Sequence, residues 1–366
     1  MAKLSALSRF VYKAKEKLPT GIDCLDTVLN NGPEQGDLIG IASKQGGGKS
    51  TMLLQLTRTY IENYDMNVLY VDVERGVKTE MLEAMGLTKH MESGKLFLSN
   101  QINTYSDLQE LLEEVLDPEA PVKWGMLIID SLTQVVPAKM LDIDIESQQM
   151  ALKARAMTAF LDKYRGRLAN ANIITWAVVQ YRKNLNQTFY GASEYNTAAP
   201  MALNHACDVI LHITTSQAKD RALTELRDTP NGTVDTKVGA VHFLWSEKNK
   251  HATPFIKVNF PVIYGRGISN VEYLRRLLLD RKLIKKSGGW IKEVAGKTVS
   301  IQGDNGLREY IRSNFEDLRT YLFEKGYYSL IGMVNVLDEQ AAASALLDKG
   351  MEAGTVEDFA TDESDS

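Results

Sequence analysis

The sequence predicts an α/β protein with a mostly parallel central sheet, followed by a small α+β lobe. Short apolar runs alternate with helical patterns from Leu38 to Gln180, which is typical of parallel strands covered by helices on both faces. Beyond Val238 apolar residues alternate with polar ones, as in antiparallel strands at one side of a sheet. Beyond residue 268 the pattern changes to short helices and a Gly-containing hairpin, which indicates a separate lobe.

The predicted elements follow one another along the chain as strand, helix and strand. Apolar or β-branched runs predict strands at 38–42, 68–74, 96–98, 126–131 and 173–179. Apolar spacing predicts a helix beginning near Met52 and helices at 78–85, 108–116 and 148–169. Antiparallel strands are expected at 240–245 and 255–260, then a helix at 271–280, a hairpin at 290–301 and helices to about 337.

Four segments are expected along the chain. Residues 1–33 form an N-terminal arm with a short amphipathic pattern, which suits packing on its own core or docking to a neighbouring subunit. Residues 34–268 form the core and residues 269–338 the small lobe. Residues 339–366 are acidic and poor in aromatic residues, so we expect this tail to be disordered.

The overall composition is that of a globular protein of the cytoplasm. The 366 residues are 44% hydrophobic and 24% charged, which suits a soluble protein with one large core and a smaller lobe. Neither a signal peptide nor a membrane-spanning run is recognisable, so no membrane partner is expected. The two cysteines, Cys24 and Cys207, lie far apart in the sequence. They indicate neither a disulfide framework nor a zinc site, and favour a reducing compartment.

The net charge of −5 argues against a nucleic-acid partner only until its distribution is considered. Every charged residue from Met351 to Ser366 is acidic, so the rest of the chain is nearly balanced. Local basic clusters such as Arg275-Arg276 and Lys285-Lys286 remain in that part. The net charge therefore does not exclude a polyanionic partner.

An apolar strand pattern leads into a segment with the pattern of a phosphate-binding loop, and a helical pattern continues it. The segment reads Ser43, Lys44, Gln45, Gly46, Gly47, Gly48, Lys49, Ser50, Thr51. In such loops backbone N–H groups face the phosphates, the lysine reaches the β- and γ-phosphates, and the following hydroxyl can bind Mg²⁺. Ser43 stands where the pattern has glycine, and a Gly-rich linker is the alternative. The flanking strand and helix favour a nucleoside triphosphate site.

Two acidic residues are expected near this loop. Asp130 ends an apolar strand that we expect beside the loop's strand, where it can hold Mg²⁺ together with Ser50. The alternative role for Asp130 is to cap the next turn. Glu74 ends the preceding strand, where a carboxylate can orient the water that attacks the γ-phosphate. The spacing leaves that role and a solvated loop acid equally open for Glu74.

Gln180 closes another predicted strand at the same edge, where its amide can contact a γ-phosphate. A long polar loop, 181–200, follows and carries Arg182, Lys183, Phe189 and Tyr190. Cations interleaved with aromatic residues suit phosphate contact and base stacking, and long loops within compact domains are usually functional. A second loop, 137–149, follows Asp130 and leads into the helix with Arg155. The alternative is that both loops are substrate lids of some other NTPase.

Several motifs in this order resemble those of the RecA-type recombinases, in bacterial and phage members alike. They span most of the chain and comprise Leu18-Pro19-Thr20-Gly21, Gly46-Gly47-Gly48-Lys49-Ser50, Val71-Asp72-Val73-Glu74, Ile128-Ile129-Asp130-Ser131, Gln180-Tyr181-Arg182, Glu247-Lys248-Asn249-Lys250, Pro254-Phe255, Ile263-Tyr264-Gly265-Arg266-Gly267-Ile268 and 282–290. Each motif alone is common among NTPases, whereas their joint order is specific. The fold implied is a RecA-like P-loop NTPase core.

The resemblance also implies residue roles. Glu74 takes the catalytic position, Gln180 that of a γ-phosphate sensor, and Tyr264 that of an adenine contact. Lys248 and Lys250 match a pair that reaches the ATP of the neighbouring subunit. The loops 137–149 and 181–200 resemble the two DNA-binding loops, with Met150 and Arg155 at the base of the first. The acidic tail resembles an autoinhibitory C-terminus.

The activity implied is that of a DNA-dependent ATPase that uses ATP and Mg²⁺. Its expected partners are single-stranded DNA, homologous double-stranded DNA, further copies in a helical filament, and single-strand-binding and loader proteins. The sequence departs from the bacterial members at Lys78, at Met81 and at Ala198-Ala199-Pro200, and its short arm is closer to the phage form. The alternatives are a hexameric helicase on the same core and a non-catalytic, ATP-gated mediator that binds single-stranded DNA.

Overall fold

A computed structural model describes residues 15–141, 150–183, 195–197, 200–216, 218, 221–229 and 232–327. Over these residues the chain forms one large, mostly parallel sheet between helices and one small antiparallel sheet near its C-terminal end. The predicted α/β fold class is therefore confirmed. Among the helices of these ranges, none is long and apolar enough to cross a lipid bilayer.

The described strands carry the numbers β1 to β14 in chain order. They are β1 (Leu38–Ser43), β2 (Asn67–Asp72), β3 (Leu96–Ser99), β4 (Trp124–Asp130), β5 (Ile174–Lys183), β6 (Tyr195–Thr197), β7 (Val209–Thr214), β8 (Ala222–Thr229), β9 (Gly232–Asn249), β10 (Lys257–Ile263), β11 (Gly267–Ile268), β12 (Ile284–Ser287), β13 (Trp290–Val294) and β14 (Lys297–Gln302). The large sheet has the order β11-β10-β9-β7-β1-β5-β4-β2-β3, with β6 paired to β5 and β8 to β9. The strands from β7 to β3 are parallel, and β9 to β11 are antiparallel.

The described helices carry the numbers α1 to α10. They are α1 (Asp23–Leu29), α2 (Lys49–Tyr64), α3 (Thr79–Ala84), α4 (Thr88–Glu92), α5 (Tyr105–Val115), α6 (Met150–Asn170), α7 (Pro200–Ala206), α8 (Asn270–Asp280), α9 (Gly303–Ser313) and α10 (Phe315–Glu324). A 3₁₀ turn spans Ala138–Leu141. The start of α5 is fixed by a capping box, in which Thr104 and Asp107 each accept the other's backbone N–H.

Both faces of the central strands are buried, which explains why their sequences are apolar throughout. Ile39 and Ile41 of β1 join the hydrophobic cluster that includes α1 and α2. Leu38 and Ala42, on the opposite face, join the cluster that includes α5 and α6. Successive residues of a strand point to opposite faces, so a strand between two helical layers needs apolar residues at every position.

The small lobe consists of α8 to α10 and the sheet β12-β13-β14. Its buried residues belong to the same hydrophobic cluster as α1 and α2. The hydroxyl of Tyr273 on α8 donates to Thr27 Oγ1 of α1 at 3.1 Å, and Arg319 on α10 lies 3.3 Å from Asp23 Oδ1. The lobe is thus fixed against α1, while the segment boundary at residue 268 stays a prediction.

The main element that was not predicted is β7, which lies next to β1 in the centre of the sheet. Its apolar run is interrupted by His212, whose ring is buried by stacking on Trp245 at 4.3 Å. The remaining residues of β7 are apolar or β-branched, and this run is the signal that could have identified the strand. Only the burial of His212 depends on a partner from β9. Residues 1–14 of the predicted N-terminal arm, the predicted helical sequence beyond residue 327 and the acidic tail lie outside the described residues.

Candidate nucleotide-binding site

The segment between β1 and α2 has the backbone shape of a phosphate-binding loop. Gly46 and Gly48 have φ values of 76° and 85°, in the left-handed region that favours glycine. A Cβ on Gly48 would also lie 2.9 Å from Val262 of β10. The loop turns directly into α2, so the unpaired N–H groups of the first helical turn face the concave side of the loop.

Ser43 fits this loop because it is the last residue of β1, where a glycine conformation is not required. Its hydroxyl donates to the backbone carbonyl of Lys44 at 2.7 Å and accepts from Lys49 Nζ at 3.1 Å. The same lysine donates to the Lys44 carbonyl at 3.3 Å. Ser43 therefore helps to hold the side chain of Lys49 within the loop.

Lys49 is buried at the base of the loop, with 9% of its surface exposed. Burial lowers the pKa of Lys49, and the nearby charges of Asp130 and Glu74 offset only part of that effect. A polyanion in the loop would favour the charged form of the amine. The effect of Asp130 and Glu74 on the pKa of Lys49 also indicates that both predicted acids lie near the loop, as expected from the sequence.

Ser50 and Asp130 form a direct contact, because Ser50 Oγ donates to Asp130 Oδ2 at 2.8 Å. Tyr70 of β2 donates to the same oxygen at 2.9 Å. Burial raises the pKa of Asp130, although the hydrogen bonds from Ser50 and Tyr70 lower it in part. A cation next to this buried carboxylate would offset the cost of its charge. A hydroxyl beside a carboxylate is the kind of oxygen pair that Mg²⁺ binds together with phosphate oxygens.

The expectation that the Asp130 strand lies beside β1 is wrong, because β5 lies between β1 and β4. Asp130 still reaches the loop through Ser50, which lies in the first turn of α2. Tyr70, which orients this carboxylate, was not among the predicted site residues. The single hydroxyl-bearing residue within the apolar run of β2 was the signal that could have identified it.

Glu74 lies two residues beyond the end of β2, in a turn, and therefore does not end the strand as predicted. Its backbone N–H donates to the carbonyl of Asp130 at 3.2 Å. Asp72, which does end the strand, accepts from the backbone N–H groups of Gly76 and Val77 at 3.1 and 2.9 Å. Asp72 thus shapes the turn, while Glu74 has an exposed side chain whose charge acts on Lys49 and Asp130.

Gln180 pairs in register with Ser43, so its backbone lies beside the phosphate loop. It does not close its strand, however, because β5 continues to Lys183 and pairs there with β6. The prediction that the strand ends at Gln180 is therefore wrong, and the start of the 181–200 loop is a hairpin. The structure describes the backbone of Gln180, Arg182 and Lys183 but not their side chains.

Most of the two predicted DNA-binding loops lies outside the described residues, and so do Phe189 and Tyr190. Met150 begins α6, where only its backbone is described. Arg155, one turn further along α6, has an exposed side chain. The base of the first loop is thus a helix N-terminus with a nearby exposed cation, while the DNA-contact roles remain predictions.

Lys248 and Lys250 lie at the opposite end of β1 from the phosphate loop. Asn249, between them, pairs with Val209, which in turn pairs with Ile39 near the start of β1. Lys248 Nζ donates to the backbone carbonyl of Asn204 in α7, and Lys250 Nζ lies 2.7 Å from Asp208 Oδ1. The two lysines are therefore separated from the phosphate loop of the same chain.

Tyr264 lies on the same edge of the sheet as the phosphate loop. It directly follows β10, whose Val262 packs against Gly48, and the residue is 55% exposed. Gln55 of α2 bonds both the N–H and the carbonyl of Ile268, which fixes this segment to the loop's helix. An exposed aromatic ring at this place can form the wall of a base pocket.

Comparison with known proteins relates these features to one family. A sequence profile of the RecA N-terminal domain matches residues 5–269. The chain is 27% identical to Protein RecA of Geobacter metallireducens over 302 residues, which cover 82% of each chain. It is 27% identical to Protein RecA of Bifidobacterium breve over 336 residues, 90% of this chain and 79% of that one. Because the matched profile covers most of the chain, including the phosphate loop and its acids, the chain belongs to the RecA-type recombinase family.

Proposed function

We propose that this protein is a DNA-dependent ATPase that forms helical filaments on single-stranded DNA and catalyses homologous pairing and strand exchange. The observation that supports the proposal is that the proposed catalytic residues lie at two separate places on one chain. Lys49, Ser50 and Glu74 lie at one end of β1, and Lys248 and Lys250 lie at the other. Each half of the proposed site needs the complementary half of another subunit.

The distance between the halves favours assembly. Through Val209, Asn249 is in register with Ile39 of β1. Ile39 lies four residues before Ser43, so Asn249 is displaced from Ser43 by about 13 Å along the strand direction. A lysine side chain at that end does not reach its own phosphate loop. Subunits that stack head to tail bring the lysines of one to the nucleotide of the next. Such heterologous contacts generate rings when the rotation closes and helical filaments when it does not.

The residues at the phosphate loop suit ATP hydrolysis. The loop N–H groups and Lys49 bind the β- and γ-phosphates, and Tyr264 contacts the adenine. Ser50 and Asp130 hold Mg²⁺, which when bound withdraws charge from the phosphoryl oxygens. Glu74 orients the attacking water and accepts its proton. Lys248 and Lys250 of the neighbouring subunit stabilise the charge that develops on the γ-phosphate.

The second loop, 181–200, couples ATP binding to DNA binding. Gln180 contacts the γ-phosphate and lies on the strand that leads into 181–200. ATP binding would then favour the loop conformation that binds DNA, and hydrolysis would reverse it. Arg182 and Lys183 contact backbone phosphates, Phe189 and Tyr190 stack on bases, and Met150 and Arg155 supply the contacts of the first loop.

The decisive experiment is negative-stain electron microscopy of the protein with single-stranded DNA and a non-hydrolysable ATP analogue. We expect continuous helical filaments, and strand exchange between a single strand and homologous duplex when ATP is supplied. Closed rings with strand-unwinding activity would replace the proposal by the hexameric helicase. DNA binding gated by ATP without DNA-stimulated hydrolysis would replace it by the non-catalytic mediator.

A further inference from the structure

Asp208, at the start of β7, joins three parts of the molecule through one carboxylate. Its Oδ1 lies 2.7 Å from Lys250 Nζ and 2.6 Å from Arg165 Nη2. Its Oδ2 accepts the backbone N–H of Leu38 at 3.0 Å. The carboxylate thus connects the lysine segment after β9, the helix α6 and the first residue of β1.

The carboxylate of Asp208 is held rigidly and remains charged. The residue is 7% exposed. Its backbone N–H donates to the carbonyl of Leu38, and its backbone carbonyl accepts the N–H of Lys250. Burial alone would raise the pKa of Asp208, but the bonds from Leu38 and Lys250 and the charge of Arg165 hold it below its ordinary value. A fixed negative charge therefore faces the ammonium group of Lys250.

The contact with Asp208 can fix the orientation of the flexible Lys250 side chain. Lysine is a point charge on a flexible stem, and immobilising it costs conformational entropy. The side chain of Lys250 is 49% exposed, so its ammonium contacts Asp208 and faces solvent at once. An ammonium has three donors, which allows it to keep the bond to Asp208 while it donates to a phosphate. Because Arg165 shares the carboxylate, the three side chains together carry a net positive charge.

Arg165 connects this arrangement to both predicted DNA-binding loops. It lies on α6, the helix that follows the first loop, and its Nε donates to the carbonyl of Ala206 at 2.5 Å. Ala206 ends α7, the helix that follows the second loop. A shift of either helix would therefore be transmitted to Asp208 and to Lys250.

We infer that Asp208 is a positioning residue that aims Lys250 at the nucleotide of the neighbouring subunit, and that Arg165 ties this carboxylate to the helices after the DNA-binding loops. The inference rests on the proposed function, because it requires that Lys250 acts in trans. Neither Asp208 nor Arg165 is a catalytic residue. Both act through the lysine that Asp208 holds.

The test is a double-mutant cycle of Asp208→Asn and Lys250→Ala, measured as ATP hydrolysis with single-stranded DNA. Asp208→Asn keeps an acceptor for Leu38 and loses the charge that holds Lys250. We expect it to lower kcat about tenfold with the KM for ATP changed by less than about twofold. Because Asp208 acts through Lys250, the double variant should be no slower than Lys250→Ala alone. Additive losses would overturn the inference.

A matched control is Asp304→Asn in the small lobe, since Asp304 likewise pairs with one arginine, Arg275, and one lysine, Lys286. Its effect should be independent of Lys250→Ala. If Asp208→Asn does not fold, Asp208→Glu tests the same point, because it keeps the charge and displaces the ammonium. It should lower kcat in the same Lys250-dependent way, and unchanged kcat would overturn the inference.

The outcomes separate this inference from the function on which it rests. Normal hydrolysis by Lys250→Ala would refute the trans lysine and the inference together. Slow hydrolysis by Lys250→Ala with additive loss on Asp208→Asn would refute the inference alone. Arg165→Lys keeps the charge but cannot span Ala206 and Asp208 together. It should reduce the stimulation of hydrolysis by DNA and leave the DNA-independent rate unchanged, and equal stimulation would remove Arg165 from the coupling.

Discussion

The hydroxyl of Ser43 occupies the space that a side chain on Gly47 would need. A Cβ at residue 47 would lie 2.7 Å from Ser43 Oγ and 3.2 Å from Ser43 Cβ. The first position of a phosphate loop usually has a glycine, and here a serine at that position binds Lys49 instead. Residue 47 must therefore lack a side chain, because the hydroxyl of Ser43 fills that space.

Gly47→Ala should weaken ATP binding, and Ser43→Gly should restore much of it in the double variant. The steric conflict costs about 1–3 kcal/mol if the loop must shift, which is roughly a 5- to 150-fold loss of affinity. Gly46→Ala is the matched control, because Gly46 has open space around it but a φ of 76°. Ser43→Gly should not rescue that variant. Titration with a fluorescent ATP analogue measures the wild type, the two alanine variants and the two double variants.

Glu74→Gln should keep ATP and DNA binding and lower the hydrolysis rate by about 10²- to 10⁴-fold, because the amide cannot accept a proton from water. Asp72→Asn is the informative comparison. Asp72 accepts two backbone N–H bonds in the same turn, so its substitution should lower the melting temperature. Steady-state hydrolysis and thermal unfolding separate the two roles, and retained turnover in Glu74→Gln would remove that residue from catalysis.

Lys248→Ala should abolish most DNA-stimulated hydrolysis while the single subunit still binds nucleotide. If Lys248 acts in trans, mixing Lys248→Ala subunits with Glu74→Gln subunits should restore activity. About a quarter of the sites in a random equal mixture then combine an intact Glu74 with an intact neighbouring Lys248. Each variant alone should remain inactive. No recovery in the mixture would place the lysine in the site of its own subunit or outside catalysis.

Asp26 should make the folded protein less stable as pH rises through the acidic range. Burial raises the pKa of Asp26 to about 6, although hydrogen bonds from the Thr20 and Gly21 backbone lower it in part. The folded state then binds the proton more tightly than the unfolded state. From about pH 4 to about pH 6, the wild type should lose up to about 3 kcal/mol relative to Asp26→Asn. Unfolding free energies across this range measure the difference, and a constant difference would contradict the prediction.

Deletion of residues 351–366 should tighten binding to single-stranded DNA and reduce its dependence on salt or Mg²⁺. The segment contains six acidic residues and no basic one, so it competes with the phosphate backbone for cations of the protein. A full-length control with the acids replaced by their amides should behave like the deletion. Anisotropy titrations over a series of salt concentrations measure this, and equal affinity would leave the segment without a role in DNA binding.

The roles proposed for Lys248, Lys250 and Tyr264 rest on the family resemblance, whereas the sequence alone determined the fold class and the phosphate loop. These depend on local chemistry: strand runs buried on both faces, glycines at left-handed positions and a lysine-serine pair at a helix start. Strand ends were less well determined, because the hydrogen bonds that extend β5 past Gln180 come from β6. In β7 the apolar and β-branched run is a local strand signal, and only the burial of His212 depends on stacking against Trp245 of β9.

Only the tertiary structure decided which residues of the site share an edge of the sheet and which do not. It inserted β5 between β1 and β4, yet brought Asp130 to Ser50 and Tyr70. It placed Lys250 and Arg165 on the same carboxylate, that of Asp208, far from the phosphate loop of the chain. Such contacts join residues far apart in sequence, and their geometry depends on strand order and register. Local sequence patterns constrain each strand but do not fix its neighbours, so only the folded chain reveals them.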